Sequence, residues 1–160
     1  MELSAVLCNY AEVQNNLLYI TGGGVDRANV PPGLTAPYVI GVSIGITLSV
    51  PWTQTNQQHK LEMDLVDEDD QPVVVPTGEA EEPLHAELQF NVGRPPILEA
   101  GEAQNISLAI NLPGLPLPRL GRYFFVLSVD GTELRRLTYK VATQQGLTIP
   151  GGPAGLPRLP

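Results

Sequence analysis

The sequence predicts an all-β fold, an immunoglobulin-like antiparallel β-sandwich of about eight to nine strands. First, apolar residues recur with period two in one segment after another, which is the strand pattern. Second, 16 glycines and 16 prolines separate these segments, which disfavours long helices. Third, no window repeats with the helical period of about 3.6 residues. Because 42% of the 160 residues are hydrophobic and 16% are charged, the chain can form a packed core.

The first half of the chain contains the clearest strand pattern. Residues 7–20, "LCNYAEVQNNLLYI", predict a strand, an Asn-rich turn and a second strand. Residues 38–50 alternate throughout, and Pro51 ends the segment. One face carries the large apolar residues Tyr38, Ile40, Val42, Ile44, Ile46, Leu48 and Val50. The other face is almost all small, so we expect another segment to approach that backbone closely.

Six further segments complete the predicted strands. Their residues are 59–66, 73–75, 85–92, 105–111, 121–129 and 132–141. Asp130-Gly131 lies between the last two and is a strong signal for a tight hairpin. Tyr123 stands near the start of the penultimate strand. It is placed either to hydrogen-bond to the preceding corner, as in immunoglobulin-like sandwiches, or to pack as an ordinary core aromatic.

The strand pattern stops after Val141. We therefore predict one sandwich domain over residues 1–143 and a flexible Pro/Gly-rich tail over residues 144–160. The tail is either a solvated segment, which we favour, or a docking peptide for a partner groove.

The segment "ITGGGVDR", residues 20–27, resembles a phosphate-binding loop at first sight. A dinucleotide fingerprint needs a helix after its glycines, and a P-loop needs Gly-Lys-Ser/Thr. Here Asp26, Arg27, an asparagine and two prolines follow instead. The glycines therefore predict a bend or bulge, and Asp26 and Arg27 either form a salt bridge or cap that bend.

Charge and composition narrow the partners and the compartment. The formal net charge of −8 disfavours nucleic-acid binding, because an acidic chain repels phosphates. The sequence has no basic N-terminal region and no apolar run of 18 residues, so we expect neither export nor a membrane span. These observations predict a cytoplasmic protein. The single cysteine, Cys8, cannot form an internal disulfide.

Charged residues are also segregated along the chain. The acidic run at residues 67–70 is either a calcium ligand set or, as we favour, a solvated flank. Positive charge concentrates near the last hairpin, at Arg119, Arg122, Arg135, Arg136 and Lys140. This separation permits electrostatic pairing with a partner or with a second copy of the chain.

Catalytic and metal-binding patterns are missing from the sequence. His59, His85 and Cys8 lie in separate strand patterns, whereas zinc needs clustered ligands. We therefore predict no catalytic residue, no metal site and no cofactor.

Two residues at strand ends are candidates for a protein interface. Trp52 follows Pro51 and enters an amide-rich loop, where it is either half-buried core or an interface anchor. Arg94, in "GRPP", could grip a carboxylate with two hydrogen bonds or could simply be solvated. Together with Asp26 and Arg27, these residues form the predicted interface set.

Several motifs, taken together, indicate that the chain resembles a known protein family. They are "LCNYAEVQNNLLYITGGGVDRANVP", "VPW", "NVGRPP" and "GRYFFVLSVDG". Over residues 3–141 the chain resembles a family of uncharacterised bacterial proteins that is common in actinobacteria. The resemblance implies a small stand-alone domain of unknown function with a sandwich fold, and it transfers no catalytic residue.

Two functional hypotheses follow. The first is a non-enzymatic interaction module that binds a protein partner or associates with itself. The alternative is a sandwich that binds a small ligand or calcium near the Gly-rich bend.

Overall fold

A computed structural model describes residues 1–77 and 80–144, and this part of the chain is all-β. It contains one 3-10 turn, Trp52–Gln54, and no α-helix among the described residues. The strands are β1 (Glu2–Cys8), β2 (Tyr10–Gln14), β3 (Leu17–Thr21), β4 (Arg27–Val30), β5 (Tyr38–Pro51), β6 (Gln58–Val66), β7 (Val74–Thr77), β8 (Ala80–Pro83), β9 (His85–Asn91), β10 (Ala103–Leu117), β11 (Gly121–Val129) and β12 (Thr132–Thr143). The described residues form no helix with the length and apolar character needed to span a membrane.

Two principal sheets share one core. The narrow sheet has three strands in the order β1-β5-β10, and the wide sheet has five in the order β4-β12-β11-β6-β9. Strands β2 and β3 form a separate hairpin, as do β7 and β8. Buried side chains from both principal sheets belong to a single apolar cluster, so the core lies between them.

Strand β5 is the centre of the narrow sheet, and its predicted inner face is confirmed. Ile44, Ile46 and Leu48 are fully buried, and the remaining large residues of this face also join the core, with Tyr38 partly buried. Full burial of one such side chain stabilises a fold by about 1.5–3 kcal/mol.

The small face of β5 is closely covered around Ser43 and Gly45, as the sequence predicts, whereas Val39 and Gly41 of the same face are exposed. The β2–β3 hairpin packs on it, so that a Cβ atom on Gly45 would lie 2.8 Å from Ile20 Cδ1. Ala11 of the hairpin is completely buried. The Asn111 side chain holds Ala11 in place, because its Nδ2 donates to Ala11 O (2.9 Å) and its Oδ1 accepts from Ala11 N (3.2 Å). A side chain larger than hydrogen at Gly45 would force the Ile20 side chain to move.

Tyr123 combines the two roles that its position suggested. Its hydroxyl donates to Arg119 O (2.6 Å) and accepts from Arg119 N (3.2 Å), which ties the strand to the preceding corner. Its ring is 1% exposed and belongs to the core with Phe125 and Leu127.

Gly22–Gly24 form the bend between β3 and β4. Gly22 and Gly24 have φ values of +64° and +88°, which glycine adopts most readily. Gly24 N donates to Leu7 O (2.8 Å), and β4 begins at Arg27 without a helix in between. The interpretation of these glycines as a backbone device is confirmed.

The structure differs from the sequence prediction in strand number and in one pairing. Twelve strands are described instead of about nine. Asn9 separates β1 from β2, so the first predicted strand is two strands. The short polar strands β4 and β8 were not predicted, because they lack the alternation of apolar and polar residues that identifies longer strands. Strand β4 also pairs with β12 in parallel, so the prediction of a purely antiparallel fold is wrong there.

The predicted tail begins where β12 ends, at Thr143. Within residues 144–160 only Gln144 is described, and its N–H donates to Val30 O (2.9 Å). The prediction of a flexible tail otherwise falls outside the described residues.

We expect Gly22→Ala to lower the free energy of unfolding by roughly 1–2 kcal/mol, because an L-residue at this φ is strained. The new Cβ would also lie 2.3 Å from Asn9 Nδ2. Urea unfolding measures the change. Gly41→Ala is the matched control, because Gly41 lies in β5 with nothing within 4 Å of an added Cβ. Equal losses in the two variants would contradict this account of the bend.

Candidate functional site

Trp52 and Arg94, two members of the predicted interface set, lie together at one end of the fold. The Arg94 guanidinium stacks 3.6 Å from the centre of the Trp52 ring. Its Nε donates to Thr55 Oγ1 (2.7 Å), and one terminal nitrogen donates to Trp52 O (2.8 Å). The Arg94 N–H donates to Asn56 Oδ1 (3.0 Å). We call these four residues the Trp52–Arg94 clasp.

The clasp joins the loop after β5 to the loop after β9. Nε and one terminal nitrogen already donate within the chain, so a carboxylate from a partner would be bound by the other terminal nitrogen and the remaining N–H of the first. Both Trp52 and Arg94 are half-buried. The geometry therefore fixes the positions of the two loops relative to each other.

Asp26 and Arg27, the other two predicted residues, form a salt bridge far from the clasp along the wide sheet. Arg27 Nε and one terminal nitrogen donate to the two Asp26 carboxylate oxygens at 2.8 and 2.9 Å. This hydrogen bonding lowers the pKa of Asp26. Arg27 pairs with Lys140 at the end of β12, whereas the clasp adjoins Asn91 at the end of β9. The four predicted residues thus belong to two separate places.

His59 is buried between two hydrogen-bond acceptors, an arrangement that the sequence analysis missed. Its Nδ1 lies 2.8 Å from Asp130 Oδ2 and its Nε2 lies 2.7 Å from Gln54 O. Because a carboxylate and a carbonyl both accept, both ring nitrogens must donate, which is the charged imidazolium form. Burial lowers the pKa of His59, but the hydrogen bonds to Gln54 and Asp130 outweigh burial and raise it.

Both nitrogens of His59 are used inside the protein, so the ring is not poised to take a proton from a substrate. One residue of this arrangement was recognisable in the sequence: Asp130, in the Asp-Gly turn, where it adopts φ +51°. Asp130 Oδ1 also accepts from Lys60 N (2.9 Å), which fixes the turn against β6. Cys8 is inaccessible to solvent, because it is fully buried. Its burial also raises the pKa of the thiol, which disfavours the reactive thiolate.

Two residues of the acidic run at 67–70 form salt bridges with arginines of the same chain, one just before β11 and one in β12. Asp67 Oδ2 accepts from Arg119 at 2.6 Å, and Asp70 accepts from Arg136. The other Asp67 oxygen accepts from the N–H groups of Asp69 and Gln71 at 2.8 and 3.0 Å. These contacts engage both oxygens of Asp67 and one of Asp70, and they neutralise Arg119 and Arg136 among the basic residues predicted to attract a partner.

A second charged cluster lies on the outer face of β6 and β9. Glu62 lies directly opposite Glu87, and Asp64 lies directly opposite His85. One ligand atom from each of Glu62, His85 and Glu87 lies within 4.8 Å of the others. The prediction of no metal site treated His85 as isolated, because strand register is invisible in the sequence.

The side of the fold where β9 and β10 are edge strands is open; we call it the β9–β10 seam. A cavity of about 200 Å³ lies there. Its lining includes Leu61, Ala86, Leu88, Leu108 and Ile110. Leu88 is 46% exposed although it lies on the face predicted to point inward. The reason is the difference in sheet width. Strands lie about 4.8 Å apart, so the five-stranded sheet extends beyond the three-stranded sheet that covers it, and its edge strand β9 is only partly covered.

A groove of about 570 Å³ lies elsewhere, beside the corner that Tyr123 fixes. Its lining includes Pro37, Pro72, Pro76, Pro116 and Pro118, together with Asp67, Glu81 and Arg119.

A comparison with protein families now places the chain. The model of a family of unknown function, DUF6941, matches residues 3–142. The chain belongs to this family. The match covers nearly the whole length and agrees with the extent of the resemblance seen in the sequence motifs. Neither a curated protein nor a solved structure matches the chain significantly.

We expect Arg94→Ala to destabilise the fold by about 1–2 kcal/mol, because it removes the stack on Trp52 and two hydrogen bonds. Arg94→Lys should restore little, since an ammonium lacks the planar fork. Urea unfolding gives the stability, and the emission of Trp52, the only tryptophan, reports the loop directly. Full rescue by lysine would contradict the clasp.

We expect the stability to fall as the pH rises through the raised pKa of His59. The folded protein binds this proton more tightly than the unfolded chain does. The contribution is therefore complete below the unfolded value of about 6.5 and disappears above the folded value. Asp130 and the Met1 amino group are the charged groups that act on the ring.

His59→Gln should cost about 1–3 kcal/mol at acidic pH, the range for a hydrogen bond to a charged group left unmade. It should also flatten this pH dependence. Urea unfolding across a pH series tests both effects, with Gln89→Ala, a change at an exposed and uncharged position on β9, as the surface control. A stability of the unsubstituted protein that rises over the same pH range would contradict the assignment.

Proposed function

We propose that this protein is a non-enzymatic interaction module that binds an extended segment of a partner protein at the β9–β10 seam. The exposed apolar edge around Leu88 carries the proposal, because an inward-facing leucine at 46% exposure is only half removed from water. Within the proposal the module has an immunoglobulin-like arrangement, acts in the cytoplasm of a bacterium, and binds neither nucleic acid nor membrane.

The seam favours an extended segment because both of its walls are edge strands. Edge strands present unpaired backbone donors and acceptors, and an added strand can satisfy them. Ala86, Leu88 and Phe90 share one face of β9, and Leu108 and Ile110 lie across the seam on β10. A partner strand with alternating apolar residues would cover this face while extending the wide sheet.

The opposite side of the fold offers less room for such addition. There β1 of the narrow sheet contacts β12 of the wide sheet, so the two sheets meet. On β10 itself, Asn16 of the β2–β3 hairpin already binds the backbone of Asn105 and Ser107. These contacts favour β9 as the strand that receives a partner.

The Trp52–Arg94 clasp supports the same surface indirectly. Arg94 follows β9 by a few residues, and its contacts hold the end of that strand. In this proposal Trp52 and Arg94 hold the end of β9 in position and do not themselves form the main contact with the partner protein.

A small-ligand function is the second candidate, and the 570 Å³ groove beside Tyr123 favours it at a different place from the Gly-rich bend where the sequence predicted it. Its size falls in the usual range of ligand sites, roughly 300–1,000 Å³. A thermal-shift screen over nucleotides, sugars and Ca²⁺ tests this candidate. A ligand at 100 times its dissociation constant stabilises a fold by about 2.7 kcal/mol.

We expect Leu88→Lys to abolish partner binding, because an inward-pointing charge blocks strand addition. The control is Leu17→Lys, which alters a leucine that is 60% exposed on the β2–β3 hairpin. Each variant carries a tag for recovery from the native host, and a photo-crosslinker at position 88 identifies what touches the seam. Size-exclusion chromatography with light scattering shows whether the occupant is a second copy.

A crosslinked partner that Leu17→Lys retains and Leu88→Lys loses by tenfold or more supports the proposal; tenfold corresponds to about 1.4 kcal/mol. A monomer with no crosslink at position 88, or equal recovery by both variants, contradicts it. Unchanged thermal unfolding of both variants excludes misfolding as the cause.

A further inference from the structure

We propose that Glu62, His85 and Glu87 form a binding site for a divalent transition metal of the Zn²⁺ class on the outer face of β6 and β9. The three side chains offer one nitrogen and two carboxylate oxygens, all within 4.8 Å of one another. Ligands around one zinc ion lie about 2.0–2.2 Å from it, so these atoms need to move closer together. Glu87 can supply this movement, because its side chain is 53% exposed.

The sheet register holds the three ligands on one surface. Glu62 and Glu87 are direct cross-strand partners, and His85 lies two residues from Glu87 on the same face of β9. Two carboxylates directly opposite each other repel, which costs stability unless a cation lies between them. The pairing of strands therefore creates a negative site where a cation is favoured.

Asp64 orients the histidine toward the two carboxylates. His85 Nδ1 lies 2.7 Å from Asp64 Oδ1, and His85 Nε2 lies 3.9 Å from Glu87 Oε2. A carboxylate that holds one imidazole nitrogen directs the other toward the metal, which is the usual arrangement behind metal-binding histidines. Asp64 is thus a positioning residue and not a ligand.

Lys60 is the internal competitor for this site. Its Nζ lies 2.7 Å from Glu62 Oε1 and 3.7 Å from Glu87 Oε2. The ammonium therefore balances the charge of the two carboxylates that a metal ion would otherwise balance. Lys60 is 41% exposed, so the ammonium can move into solvent when a metal arrives. The imidazole nitrogen favours Zn²⁺ over Ca²⁺ and Mg²⁺, which prefer oxygen ligands alone.

Three protein ligands leave a fourth zinc position for water or for a donor from another molecule. The site does not depend on the proposed partner binding, because Glu87 and Leu88 are neighbours on β9 and point to opposite faces. Failure of one proposal therefore leaves the other standing.

Isothermal titration of the full chain with ZnCl₂ at neutral pH, in a buffer that does not bind metal, tests the site. We expect one Zn²⁺ per chain, and weaker binding of Ca²⁺ and Mg²⁺. His85→Asn and Glu62→Gln should each weaken binding on the order of tenfold or more, and Asp64→Asn by roughly 10- to 100-fold. Lys60→Met should strengthen binding, because it removes the competitor. Glu68→Gln, in the acidic run outside the cluster, is the control and should bind as the parent chain does.

Backbone amide shifts in an NMR titration locate the bound metal and confirm that each variant is folded. Shifts confined to β6 and β9 support the proposal. No heat and no shifts at millimolar Zn²⁺, equal affinity after His85→Asn, or shifts centred on residues 67–70 would overturn it. An unchanged affinity in Lys60→Met would overturn the role assigned to Lys60.

Discussion

The rest of the structure depends on the strict alternation of side-chain size along β5. The large face supplies Ile44, Ile46 and Leu48 to the core between the two sheets. The small face admits a second layer, because Gly45 lets Ile20 of the β2–β3 hairpin come within contact of the backbone. One strand thus contacts a packed layer on each side, which holds the narrow sheet in place although it has only three strands.

The difference in width between the two sheets determines which apolar residues stay exposed. A five-stranded sheet cannot be fully covered by a three-stranded one, so β9 extends past its cover and Leu88 is left partly exposed. At the other side, β1 and β12 are in contact and close the core. The asymmetry leaves the apolar edge around Leu88 partly exposed, while Asp67 and Asp70 are each paired with an arginine of the same chain.

The charged side chains of this protein are mostly organised by strand pairing between distant segments. His59 meets Asp130 because β6 lies beside β11, and Glu62 meets Glu87 because β6 also lies beside β9. The first contact is buried and its partners are fixed acceptors, which suits a structural role. The second is partly exposed and holds two like charges together beside Lys60, which is the basis of the proposed metal site.

The sequence by itself determined the all-β class, the inward face of β5, the bend at Gly22–Gly24 and the corner at Tyr123. Each of these follows from local chemistry, since side-chain alternation, glycine freedom and turn residues act within a few positions along the chain. Only the tertiary structure decided the parallel pairing of β4, the stack of Arg94 on Trp52 and the cluster around His85. Those features depend on which strands become neighbours and in what register. A shift of one residue would reverse the face of every side chain without changing the local pattern.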